Sequence, residues 1–397
     1  LAATGIDRVE LAYAEYLIAH ESDRTWFCAY HPMGFIGLLH TDQAKWFVEA
    51  LSRRWGGQTR EDTQNRARLL QLSLLRWKRG SLPWGGITRE KAIYLLVSHH
   101  HLTRPGVIGA VLKRWRADLI VMLHDLIPIE FPEYSRPREA ARHVLRVQTI
   151  ADFAHGVIVP ADAVGRSLGN MLRGGAKADC QIWTIPHGVP DAVKTVTYQE
   201  TTHTGREGDT PYFVCLGTIE PRKNHLLLLN LWRDMVKSEG GCVPRLLLIG
   251  KRGWENENVL DMLERCAALR GHVEELSGLS DEAVVSILRG ARGLLFPTFA
   301  EGFGLPLAEA LTLGVPSIVA DIEVLREVGR EIPCYLDPND GIGWRAAIAD
   351  FAAEGPVYRA QKALVANADY WGWTESVAAS ITKIDQVAVG AVNLHQG

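Results

Sequence analysis

The run Phe296-Pro297-Thr298-Phe299-Ala300-Glu301-Gly302-Phe303-Gly304-Leu305-Pro306-Leu307-Ala308-Glu309-Ala310 joins the end of an apolar strand to the start of a helix through a glycine-containing loop. Pro306 suits a first helical turn, where a missing N–H costs nothing. Gly302 and Gly304 let backbone N–H groups come close to a ligand, and the positive end of the following helix favours an anion. Glu301 ahead of the loop and Glu309 one turn into the helix then point into one cleft, where carboxylates accept paired hydrogen bonds from sugar or ribose hydroxyls. The alternative is that Glu301 caps the loop and Glu309 faces water.

Around this loop, Tyr212–Leu216, Arg245–Ile249, Val273–Leu276, Gly293–Phe296, Pro316–Ala320 and Cys334–Leu336 read as short strands alternating with helical stretches. Such βαβ repetition predicts a parallel sheet, and runs as uniformly apolar as Leu246–Ile249 predict a sheet covered on both faces, with ligand beyond the strands' C-terminal ends. The first half repeats the rhythm, with Ala92–Val97, Leu119–Leu123 and Gly156–Val159 as strands and Val9–His20, Gly106–Arg116 and Glu139–Phe153 as helices. The expected organisation is an α/β domain over 1–190, a polar linker or mobile loop over 191–210, a second α/β domain over 211–370 and a terminal helical segment over 371–397.

The strand Tyr212–Leu216 runs into Gly217-Thr218-Ile219-Glu220-Pro221-Arg222-Lys223-Asn224-His225. Adjacent Arg222 and Lys223 just past a parallel strand suit a diphosphate, the arginine as a planar fork and the lysine as a point charge. An ordinary solvated basic pair is the alternative.

With these residues in view, the chain resembles the retaining GT-B glycosyltransferases of glycosyltransferase family 4. The resemblance rests on Gly217–Asn224, on Leu248-Ile249-Gly250, and above all on Glu301 through Glu309, which looks like the family's E-x7-E signature; Gly314-Val315-Pro316 and Glu327-Val328-Gly329 also fit. Earlier in the chain, Gly5-Ile6-Asp7-Arg8-Val9, His124-Asp125 and Pro186-His187-Gly188-Val189 match more loosely. The resemblance implies two Rossmann-like domains facing a cleft, with the last helix, around Trp373–Val387, packing back on the first domain and a first strand upstream of Gly5. It further implies that Glu309 binds the donor ribose, Glu301 the transferred sugar, and Arg222 and Lys223 the diphosphate. Gly217, Thr218 and Gly250 would line the donor site, and the backbone around Gly302, Phe303, Gly304 and Leu305 would contact sugar hydroxyls or phosphate. His124 would lie against the sugar, and Gly5 would belong to a glycine loop near the phosphates. Thr218 departs from relatives that carry Arg after the glycine, so charge neutralisation leans on Arg222 and Lys223. The run Gly217–Asn224 resembles bacterial mannosyltransferases of the family, which points to GDP-mannose; UDP-glucose and dTDP-rhamnose remain open.

Departure of a nucleoside diphosphate develops negative charge that two cations and a helix N-terminus can stabilise, so neither metal nor cofactor is expected. No D-x-D triplet is present, Asp321-Ile322-Glu323 being the nearest approach. His99-His100-His101, following a strand-like run, would alternate faces and fail to converge on a metal. A net charge of −3 argues against a dedicated nucleic-acid binder, although residues 1–190 carry +6 and 191–397 carry −9. Six cysteines with no C-x-x-C spacing read as reduced cytosolic thiols. Two readings from other classes stay in view: a sugar-nucleotide epimerase or non-catalytic binder on the same fold, and a serine hydrolase built on Gly165-Arg166-Ser167-Leu168-Gly169, which the expected helix over Ala161–Arg173 disfavours.

Residues 51–91 hold ten Lys and Arg against three acids. Ala67, Leu70, Leu74 and Trp77 form one helical stripe among them, which predicts peripheral contact with an anionic membrane on the acceptor side, at the inner face of the plasma membrane. A second stripe of Leu69, Leu72 and Leu75 would instead bury the helix on two sides.

Overall fold

The computed structural model describes residues 5–31, 33–55, 67, 70, 74, 92–173, 180–195, 210–239 and 243–393. Its chain divides into two units: residues 1–129, 140–188 and 373–397 form the first, and residues 130–139 and 189–372 the second.

In the first unit, an antiparallel hairpin of β1 (Cys28–His31) and β2 (Phe35–Leu38) precedes a parallel sheet in the order β3 (Ala92–Leu96), β4 (Ala117–Met122), β5 (Ala154–Val159), β6 (Gln181–Thr184). Helices Pro105–Trp115, Glu139–Phe153 and Asp162–Leu172 connect its strands. The terminal helix Trp373–Asn393 belongs to this unit, where Val377, Ile381 and Ile384 join Val9, Tyr13, Ile120, Met122 and Ile158 in one core. Tyr13 and Ser380 hydroxyls meet at 2.5 Å, and Ser376 Oγ donates to the Pro186 carbonyl at 2.6 Å.

The second unit is a six-stranded parallel sheet: β7 (Tyr212–Leu216), β8 (Arg245–Ile249), β9 (Val273–Leu276), β10 (Gly293–Phe296), β11 (Ser317–Ala320) and β12 (Cys334–Leu336). Alternation sends successive side chains to opposite faces. Val214, Leu247, Ile249, Leu294 and Phe296 pack on one face with helices Asp281–Gly290, Leu305–Thr312 and Glu323–Gly329. Phe213, Cys215, Leu246, Leu248 and Leu295 pack on the other with helices His225–Glu239 and Gly341–Ala352. Double-sided burial is the physical reason for the unbroken apolar runs. The strand order is β12-β11-β10-β7-β8-β9, the doubly wound order of dinucleotide-binding sheets, whose direction reverses between β7 and β10.

Several expectations change. Asp191–Thr195, assigned to the polar linker, is a short helix packed on helices Asp281–Gly290 and Leu305–Thr312; residues 196–209 of that linker lie outside the described residues. Gly5, expected in a loop, is the first residue of helix Gly5–His20. His99–Thr103 is a 3₁₀ turn, not an extended continuation of β3, with Ser98 Oγ accepting from the His100 N–H. Within 51–91 the described residues are 51–55, 67, 70 and 74, so Trp77 and the basic residues flanking the apolar stripe lie outside them; Ala67, Leu70 and Leu74 of that stripe are helical, and Leu74 is buried against Gly37 of β2. Among the described residues no helix is long and apolar enough to cross a membrane.

Candidate functional site

Ligands of doubly wound sheets bind where strand order reverses, beyond the C-terminal ends of the strands. Here that point lies between the loops following β7 and β10. After β7, Gly217 donates to the Ile249 carbonyl at 2.9 Å, and its neighbour across β8, Gly250, is so close that a Cβ there would overlap the Gly217 carbonyl oxygen. Only glycine permits that approach. The chain then makes a 3₁₀ turn, Pro221–Lys223, closed by Asn224 in the left-handed region at φ 55°, whose side-chain amide donates to the Pro338 carbonyl at 2.8 Å.

After β10, the Phe299 N–H donates to the Arg222 carbonyl at 2.9 Å, and the Thr298 hydroxyl lies 3.2 Å from the same oxygen. The two loops are thereby sewn together. Gly304, at φ 93°, precedes helix Leu305–Thr312, and a Cβ on it would come 2.6 Å from Leu325. Phe303 and Leu305 anchor this entry in the core, while Glu309 is half-buried on the helix.

Between the loops sits a network of charges. Lys223 Nζ lies 2.5 Å from Glu301 Oε1, Arg222 Nη1 lies 2.8 Å from the same oxygen, and Arg222 Nη2 lies 2.7 Å from Glu220 Oε1. Arg222 also donates to the Ala300 carbonyl, and Lys223 sits over the Phe296 ring at 4.6 Å. The Lys223 and Glu301 side chains are 9% and 8% exposed, so these charges are largely stripped of water and depend on one another. Burial raises the Glu301 pKa, but Arg222 and Lys223 outweigh it and hold the carboxyl below its ordinary value. Burial pulls the Lys223 pKa down against the pull of Glu301. His225, at the start of the next helix, is pushed down to about 4 by burial and by Lys223.

Over the same sheet edge runs the segment 130–139. Tyr134 stacks on Phe299 with ring centroids 5.1 Å apart and planes 4° from parallel, and Arg136 sits 4.6 Å above the Trp254 ring.

In the first unit, His124 follows β4 and its Nε2 donates to the Val97 carbonyl at 2.9 Å. His99, at the end of β3, and His187, just past β6, stand 5.6 and 5.7 Å from the His124 ring, and His143 stands 5.6 Å from His99. All four imidazoles are buried. Burial lowers the pKa of His124 and takes those of His99 and His187 well below the ordinary value, so these three are neutral at physiological pH.

Residues 199–351 match the family model Glycosyl transferases group 1. The chain is 27% identical over 237 residues to the O-antigen chain mannosyltransferase B of Escherichia coli, covering 56% of this chain and 58% of that one. It is 25% identical over 253 residues to the serotype-specific mannosyltransferase WbdA of Escherichia coli, covering 58% of this chain and 29% of that one. The matched stretches thus span less than two thirds of either relative. Among solved structures, Anabaena Alr3699/HepE in complex with UDP superposes with a TM-score of 0.57 at 14% identity, over 74% of this chain and 79% of that chain. The fold is GT-B. Its parallel sheets form two Rossmann-like α/β domains.

In the second domain of this GT-B chain, Arg222, Lys223 and Glu301 converge, with Gly217 against the Lys223 stem and Gly250 against Gly217. Gly302, Phe303, Gly304 and Leu305 form the entry to the helix bearing Glu309, and Thr218 packs beside Gly253. His124 and Gly5 lie in the first domain. Glu301 therefore does more than cap its loop, since it neutralises two cations, and Glu309 is half-buried and not fully turned to water. The sequence reading missed Glu220 as the carboxylate that orients Arg222, and its signal was present: an acid two residues before the basic pair. It also missed the Tyr134–Phe299 stack, for which sequence offers no signal. The serine of Gly165–Gly169 lies within helix Asp162–Leu172, away from any strand-to-helix elbow. Asp321 is bound to Arg326 through two hydrogen bonds, at 2.5 and 2.7 Å.

Proposed function

We propose that this chain is a retaining, metal-independent hexosyltransferase that moves mannose from GDP-mannose to a hydroxyl of a glycan or lipid-linked glycan in cell-surface polysaccharide synthesis. The observation that carries this reading is the convergence of Arg222, Lys223, Glu301 and the N-terminus of helix Leu305–Thr312 at the point where the strand order reverses. The names of the relatives, two of them mannosyltransferases of Escherichia coli, support mannose as the sugar.

Without donor, Glu301 supplies the negative charge between the two cations. A bound diphosphate takes over that role, and the carboxylate turns to accept hydrogen bonds from sugar hydroxyls. When the bond between the anomeric carbon and the diphosphate oxygen breaks, its electron pair goes to that oxygen. Arg222, Lys223 and the helix N–H groups stabilise the charge where it appears. The acceptor oxygen bonds to the same face of the anomeric carbon, and its proton passes to the departing phosphate.

The test incubates the protein with GDP-mannose, UDP-glucose or dTDP-rhamnose, with and without a mannan-type acceptor. Nucleotide released only with acceptor, from GDP-mannose above the others, is the expected result. An isomerised nucleotide sugar would show an epimerase, and thermal stabilisation without release would show a binder.

A further inference from the structure

Arg146 and His143 lie one turn apart on helix Glu139–Phe153, both buried, and neither entered the sequence reading. Arg146 Nη1 and His143 Nδ1 are 2.9 Å apart. A guanidinium only donates, so Nδ1 accepts with its lone pair and the ring proton sits on Nε2. His143 Nε2 donates that proton to the Asp125 carbonyl at 3.0 Å. The adjoining His124 donates from its own Nε2 to the Val97 carbonyl, and a carbonyl only accepts, so His124 also carries its proton on Nε2 and keeps Nδ1 as an acceptor. His99 stands edge-on to both rings, at 66° to His124 and 79° to His143, while Asp125 Oδ1 accepts from the Ile127 N–H at 3.1 Å and fixes the turn.

We infer that Arg146 and His143 are positioning residues: through the Asp125 carbonyl they hold the loop that presents the His124 Nδ1 lone pair to a substrate hydroxyl. This rests on the transferase reading proposed above, with His124 taken as a substrate contact. At metal sites, removing the outer partner that fixes a histidine's tautomer and aim typically costs about 10-fold to 100-fold in activity, and the low end of that range is the scale expected for this pair.

Nitrogen-15 NMR of the intact protein labelled at histidine decides the tautomers directly. His124 and His143 protonated on Nε2, with His143 redistributing between tautomers in Arg146→Met, is the expected pattern; His143 protonated on Nδ1 in the native protein overturns the inference. In transfer assays His143→Leu lowers kcat about 10-fold, with donor KM little changed. His143→Gln restores kcat, because its amide can accept from Arg146 and donate to Asp125. Equal loss in both variants overturns the positioning role, and Arg146→Met supplies the kinetic comparison if His143→Leu fails to fold. Absence of transfer by the native protein would defeat the functional reading instead, leaving the tautomer result to judge the pairing.

Discussion

Lys223 and Glu301 are 78 residues apart in sequence, yet the lysine ammonium lies 2.5 Å from the glutamate Oε1 in a place almost closed to water. The pair joins the two loops that flank the sheet's reversal point. It makes this edge of the sheet one electrostatic unit, in which a change at either loop is felt at the other.

Glu301→Gln should lower folding stability by about 3 kcal/mol, because it strands the buried Lys223 ammonium. The Lys223→Met, Glu301→Leu double variant, which removes both charges, should recover most of that loss and none of the transfer activity. Urea unfolding at neutral pH, read beside the rate of nucleotide release, checks both statements.

Stability should fall as pH drops from about 6.5 toward 4. The unfolded His225 ring takes up its proton near 6.5 and the folded ring only near about 4, so the unfolded state binds protons first across that window. The full shift corresponds to about 3 kcal/mol for this one residue. His99, His124 and His187, also depressed by burial, act in the same direction. Urea melts between pH 7.5 and 4.5 should show the decline, and His225→Gln should make it shallower.

Gly250→Ala should cost about 1 to 3 kcal/mol by forcing β8 away from the Gly217 carbonyl, and should weaken nucleotide binding because Gly217 lies against Lys223. Isothermal titration with GDP, alongside thermal unfolding, measures the two effects. Native affinity in a destabilised variant would detach Gly250 from the site.

Kinetics should separate the two sides of the proposed donor site. Glu309→Ala should raise donor KM with kcat nearly kept, as expected when ground-state binding is lost, whereas Arg222→Ala should lower kcat by about 100-fold through lost charge stabilisation. EDTA should leave both the native rate and these ratios unchanged.

The strands of the second domain were legible because burial on both faces leaves few polar residues in them: the unbroken aliphatic run Leu246 through Ile249 is enough to mark a strand. β6, Gln181–Thr184, lies at a sheet edge with both terminal residues exposed, and its mixed composition concealed it. Arg222, Lys223 and Glu301 were recognisable as residues carrying charge in strand-end loops. That they touch was not, since it follows from β10 lying beside β7, and strand order is set by packing over the whole sheet. The histidine centre failed to show for a local reason and a distant one. A 3₁₀ turn capped by Ser98 breaks the alternation expected for His99-His100-His101, and its other rings arrive from positions 124, 143 and 187.

The assignment of residues 130–139 to the second domain has a consequence for inheritance. A chimera that exchanges halves near residue 190 would pair the Phe299 of one parent with the Tyr134 of the other, and the Trp254 of one with the Arg136 of the other. Recombination that preserves these contacts must carry a short piece of the first half along with the second. Substitutions at Tyr134 and Phe299, or at Arg136 and Trp254, should therefore show coupled effects in double-mutant cycles, although these residues lie far apart in the chain that encodes them.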